Sequence, residues 1–130
     1  VEEEDFYIGF FDGSSKPNPG EMNIGGYIQA PSGEMVAMIS EGAGYGTNNK
    51  AEYTALIRLL EEAVKLKVEN ISVYGDSQLV VNQVNHKWKT NGNMMPYKKR
   101  VMELLPKFKS CSITHVRRGK NTIADNLSKM

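Results

Sequence analysis

The sequence holds a single cysteine, Cys111, so no disulfide can form within the chain. A fold without cross-links suits a reducing compartment, and a cytoplasmic or nuclear location is expected. No apolar run approaches the roughly 20 residues that cross a bilayer, so no membrane association is expected. The opening VEEED is acidic where a secretory leader is basic. Repeats, low-complexity tracts and interdomain linkers are also missing, which argues against solenoids and tandem domains. What remains is 130 residues, 40% hydrophobic and 24% charged, a balance that excludes disorder and suits one core. The expectation is one domain over residues 1–130, with 1–5 as a flexible acidic lead-in. A first residue of Val rather than Met is compatible with a processed product or an excised domain.

The net charge of +1 conceals an asymmetry. Residues 1–82 carry 5 Lys/Arg against 13 Asp/Glu, whereas residues 83–130 carry 11 against 2. Two readings fit this pattern. One is a solvated basic helix face. The other is a surface for a polyanion, with a cation held in the acidic part.

Residues 6–11 (FYIGFF) are apolar on both faces and predict a central strand that ends at Asp12, followed by the turn formers GSSKPNPG. Residues 22–30 and 34–42 flank Pro31-Ser32-Gly33 and predict a hairpin. Residues 47–67 are the strongest helix, with Ala51, Ala55, Leu56, Leu59, Leu60, Ala63 and Val64 on one stripe and Thr47 or Asn48 as cap. Residues 70–75 predict a short strand ending at Asp76, and residues 77–85 a helix. Residues 96–108 predict a further helix, 112–116 a strand and 121–130 a final helix. The fold class is α/β: a five-stranded mixed sheet, three antiparallel strands plus parallel ones, with helices on both faces.

Asp12 and Asp76 each follow an apolar strand. If the long helix is a right-handed crossover, both emerge on one edge of the sheet, where open α/β sheets bind ligands. Glu52, in the first turns of the long helix, can lean over that edge. Asp125 opens the last helix. Taken singly, Asp76 also suits a helix cap, Glu52 a solvated helix face and Asp125 the favourable end of a helix dipole. Asp12 is harder to dismiss, because an unpaired charge fed by a buried strand is expensive. Clustered carboxylates repel and call for a cation. Oxygen ligands without His or Cys favour Mg²⁺ or Mn²⁺ over Zn²⁺. Three or four carboxylates can hold two such ions about 4 Å apart.

Four segments resemble the type 1 ribonuclease H family: DGSSKPNPG, TNNKAEYTAL, GDSQLVVNQV and HVRRGKNTIADNLSK, in that order and each with one acid. The resemblance covers roughly residues 6–129. It implies the ribonuclease H-like fold and an endonuclease that cuts the RNA strand of RNA–DNA hybrids, leaving 5′-phosphate and 3′-hydroxyl ends. It implies catalytic and metal-binding roles for Asp12, Glu52, Asp76 and Asp125, with two Mg²⁺ ions or Mn²⁺ in their place. It aligns Asn18, Asn48 and Gln78 with residues that contact the hybrid near 2′-hydroxyls and base edges, and Thr47 with a threonine that binds a DNA-strand phosphate. Hydroxyl contacts in a minor groove are the physical way to tell RNA from DNA.

Two departures from relatives stand out. The link Arg117-Arg118-Gly119-Lys120-Asn121 has no histidine, and His115 falls inside the predicted strand as a structural residue. Residues 85–95 are too short for the extra basic helix of some relatives, yet Lys87, Trp88 and Lys89 can meet the DNA strand by charge and stacking. Trp88 can equally anchor its loop on the core. A monomer is expected. Two alternatives remain: the same nuclease as a domain of a retroelement reverse transcriptase polyprotein, and a non-cleaving hybrid-binding module.

Overall fold

The computed structural model describes residues 5–117 and 119. The strands are β1 (Tyr7–Lys16), β2 (Gly20–Gln29), β3 (Met35–Gly46), β4 (Asn70–Gly75) and β5 (Ser110–His115). The helices are α1 (Asn48–Lys65), α2 (Gln78–Val84) and α3 (Met95–Leu104), with a 3₁₀ turn over Leu105–Lys107. The sheet order is β3-β2-β1-β4-β5. β1 pairs antiparallel with β2 and parallel with β4, and β4 pairs parallel with β5. This is the expected mixed sheet. The final helix expected over residues 121–130 lies outside the described residues. None of the described helices is long and apolar enough to cross a membrane.

α1 forms because its apolar positions recur at helical spacing, and Ala55, Leu56, Leu59, Leu60 and Ala63 are buried against the sheet. The sheet makes room for it with small residues. A Cβ at Gly9 would come within 2.9 Å of the Leu59 side chain. α1 contacts β1, β2 and β3 as well as α2 and α3, so the described helices form one layer. The opposite side carries Phe10 stacked between Tyr27 and Tyr74, with ring centroids 5.0 and 5.2 Å apart.

Several expected boundaries differ: β3 runs to Gly46 rather than Gly42, and two further shifts have a clear cause. β1 does not stop at Asp12; it runs on to Lys16 because Gly13, Ser14, Ser15 and Lys16 pair with Ile24, Asn23, Met22 and Glu21 of β2. Cross-strand hydrogen bonding overrides the turn preference of GSS, and the turn falls at Pro17-Asn18-Pro19. The helix expected over residues 96–108 ends as α-helix at Leu104, where Pro106 cannot continue the ladder.

The C-terminus of α1 closes with Lys67 N–H donating to the Val64 carbonyl and Val68 N–H to the Ala63 carbonyl, which satisfies two end carbonyls. Lys67 takes φ 61°, a left-handed conformation in which a Cβ is disfavoured. Lys67→Gly is expected to raise stability by about 1 kcal/mol, read as a higher urea midpoint at unchanged slope. A lower midpoint would mean that the Lys67 side chain holds the motif together.

Candidate metal centre and polar cleft

β4 ends at Gly75, which pairs with Phe11, so Asp76 leaves the sheet beside Asp12. α1 crosses behind them and brings in Glu52. One carboxylate oxygen from each of Asp12, Glu52 and Asp76 lies within 4.8 Å of the others. Asp12 is 4% exposed and Glu52 7%. The close approach of α1 depends on Gly13, where a Cβ would overlap the Ala51 carbonyl. The Gly13 N–H donates to Glu52 Oε1 and fixes that carboxyl against β1.

Burial pushes the Glu52 carboxyl well above the usual range, and the negative charges of Asp12 and Asp76 push it further. A hydrogen bond to Asp12 also raises it, while the Gly13 N–H acts in the opposite direction. Glu52 therefore retains a proton to higher pH than an exposed glutamate does. The donor set is all carboxylate oxygen and crowded, with Asp12 and Glu52 buried and Asp76 partly buried. It fits a hard divalent cation, with Asp12, Glu52 and Asp76 as ligands. Asp125, the fourth expected acid, lies outside the described residues. Cys111 offers no competing chemistry, since burial pushes its thiol up to about 12.

The acids line a polar cleft of about 340 Å³ with Ser14, Lys16, Asn48 and Ser77. Asn48 Oδ1 accepts from the Ser15 N–H at 2.7 Å, and Asn18 Oδ1 accepts from the Asn48 N–H at 3.0 Å. Both side-chain carbonyls are thus engaged by backbone, which leaves each amide NH₂ to donate elsewhere. Thr47 caps α1, its Oγ1 accepting from the Lys50 N–H at 3.2 Å. A second cleft joins the first through Asn48 and Asn49, and is lined by Asn18, Thr47, Lys50, Asn91 and Asn93. Gln78 is exposed at the start of α2, two residues after Asp76. Lys87, Trp88 and Lys89 lie on the loop after α2, outside both cleft linings. Trp88 is 46% exposed, which is not how a core anchor sits.

Lys16, Asn49, Lys50, Ser77, Asn91 and Asn93 are among the cleft residues that sequence reading did not assign to a site. Asn91-Gly92-Asn93 signals a chain break, and nothing local shows that this break returns to the start of α1.

The family model described as "Reverse transcriptase-like" matches residues 10–130. The chain is 42% identical over 120 residues to a curated "Ribonuclease HI" of Halobacterium salinarum, covering 92% of this chain and 60% of that protein. It therefore spans about 60% of the length of that relative. Among solved structures it is similar to the RNase H1 of Halobacterium salinarum NRC-1, with a TM-score of 0.92 and 40% identity over 95% of each chain. It is also similar to LC11-RNase H1 in complex with an RNA/DNA hybrid, with a TM-score of 0.87 and 29% identity over 95% of this chain and 94% of that one. The foamy viral protease-reverse transcriptase shares the fold at 18% identity, with a TM-score of 0.77 over 99% of this chain and 96% of that one.

Replacing Asp12 by Asn removes one charge from the cluster and keeps its shape. In EDTA at neutral pH the variant is expected to melt at or above the temperature of the parent, and Mg²⁺ should raise the parent's melting temperature more than the variant's. Strong destabilisation of the EDTA form would make Asp12 a structural residue instead. The raised Glu52 carboxyl adds a pH signature. Its stabilising proton is fully present below the ordinary glutamate range and is lost as pH rises toward the folded-state value. Metal-free stability should therefore fall across that window, and excess Mg²⁺ should flatten the fall.

Proposed function

The chain belongs to the type 1 ribonuclease H family, and on that premise we propose that it is an endonuclease hydrolysing the RNA strand of RNA–DNA hybrids. The observation that carries this reading is the convergence of Asp12, Glu52 and Asp76 within 4.8 Å in a cleft that Asn48 also lines, with Asn18 in the cleft that joins it. In the proposal Asp12, Glu52, Asp76 and Asp125 hold two Mg²⁺ ions, with Mn²⁺ as a substitute. Divalent cations bound there supply a water nucleophile and neutralise the charge that develops on the leaving oxygen, giving 5′-phosphate and 3′-hydroxyl ends. The protein acts as a monomer in this reading.

The chain's own residues position the substrate. The free NH₂ groups of Asn18 and Asn48 are donors aimed at acceptors, which suits ribose 2′-oxygens and the acceptor edges of bases in a minor groove. Gln78, at the exposed start of α2, adds a third amide. Thr47, with Lys50, Asn91 and Asn93 around it, offers hydroxyl, amide and ammonium donors to a DNA-strand phosphate. Lys87 and Lys89 extend the positive surface, and Trp88 offers a stacking face.

A non-cleaving binding module is disfavoured, since binding alone gives no reason to bury mutually repelling acids. The description of the family model favours a second reading, in which the same nuclease is one domain of a reverse transcriptase polyprotein. Identity of 40% to a ribonuclease H1, against 18% to a foamy viral reverse transcriptase, supports the first.

The test is a substrate panel: labelled RNA–DNA hybrid, duplex RNA, duplex DNA and single strands, each with Mg²⁺, Mn²⁺ or EDTA. Cleavage of the RNA strand of the hybrid alone is expected, with none in EDTA, and Asp12→Asn should lower it by several orders of magnitude. Robust cutting of pure DNA, or full activity in EDTA, would sink the assignment. One ribonucleotide embedded in DNA should be a poor substrate, because the amide contacts span several riboses.

A further inference from the structure

Tyr53 follows Glu52 in α1 and is fully buried. Its ring packs against that of Tyr97 in α3, with centroids 6.0 Å apart. Its hydroxyl donates to Gln83 Oε1 at 2.6 Å. Gln83 sits in α2 and is 2% exposed. Its Nε2 reaches on to the Lys89 carbonyl at a long 3.4 Å. The same stretch is folded by backbone bonds from Lys87 and Trp88 N–H to the Asn82 carbonyl and from His86 N–H to the Gln83 carbonyl. His86 turns the chain there with φ 62°.

A buried amide is costly unless both ends are engaged, and an apolar side chain would fill the same space without that risk. Gln83 therefore contributes direction as well as volume. We propose that Tyr53 and Gln83 are positioning residues: a buried polar strut that holds Lys87, Trp88 and Lys89 in the arrangement from which they meet nucleic acid. The proposal rests on the nucleic-acid reading above and adds to it two residues that touch no substrate. It links the helix that carries Glu52 to the basic loop through one hydrogen-bonded path.

Trp88 is the only tryptophan in the chain, so its fluorescence reports on this loop alone. Tyr53→Phe keeps the ring and removes the donor. Gln83→Met keeps the volume and removes both polar groups, and serves as the second variant should the first fold poorly. In the free protein, acrylamide quenching of Trp88 should increase in both. Hybrid affinity, measured in EDTA at low salt, should weaken about fivefold, the worth of one hydrogen bond. The rise in melting temperature caused by Mg²⁺ should match the parent's, because the carboxylates are untouched. Combined with Lys87→Ala and Lys89→Ala, Tyr53→Phe should cost less affinity than it does alone, since the strut acts only through that loop. A loss that adds in full to the lysine loss, or unchanged Trp88 quenching with normal hybrid binding, overturns the strut alone. A parent that binds no hybrid overturns the nucleic-acid reading, and the strut's purpose with it.

Discussion

Repulsion among Asp12, Glu52 and Asp76 is the force that the surrounding structure must contain. Glu52 is buried beside Asp12 and Asp76, and their negative charges oppose its ionisation. Hydrogen-bonded neighbours set the three positions. Phe11 pairs with Gly75, so the residues that follow emerge side by side. Gly13 lets α1 approach until a backbone N–H meets the Glu52 carboxyl. Folding places the charges, and the energy of placing them is offset by a proton on Glu52 or by a cation.

Two polar straps hold α1 in this place. At its start, Asn18 and Asn48 tie the β1–β2 turn to the first helical turn through Ser15 and the Asn48 backbone. Further along, Tyr53 and Gln83 tie it to α2. On the outer surface, Arg58 meets Glu41 of β3 at 2.9 Å, and Arg100 of α3 meets Glu61 at 3.1 Å. These pairs are partly exposed, so each contributes little by itself, and salt weakens them. The buried stripe of Leu56, Leu59 and Leu60 supplies most of the adhesion, while the polar bonds fix the register in which it settles.

Much of this was legible in the residues. β4 matches its expected bounds because an apolar run lies between clear turn signals. Thr47 caps α1 and Ser77 caps α2 as their side chains suggest. Asp12, Glu52 and Asp76 converge as motif order and crossover handedness imply. The misreading of β1 has a physical cause: Gly13, Ser14 and Ser15 have turn preferences that lose to pairing with β2, and the identity of the pairing partner is not a local property. The same holds for Asn91 and Asn93, and for the Tyr53–Gln83 bond, whose partners are 30 residues apart. Long-range partners leave no mark on short-range pattern. Asp125 and the last predicted helix fall outside the described residues.

A cation site at the three carboxylates, with the Glu52 carboxyl held above the ordinary glutamate range in the metal-free form, is what the most direct measurement must find. Calorimetric titration of the metal-free protein with Mg²⁺ at a series of pH values from mildly acidic to neutral, in two buffers of different ionisation enthalpy, measures cation binding and proton release together. Saturable binding whose proton release grows toward acidic pH, seen as a buffer-dependent heat and lost in Glu52→Gln, is the expected result. No saturable heat, or binding that persists unchanged in Glu52→Gln with no proton released, would contradict the account.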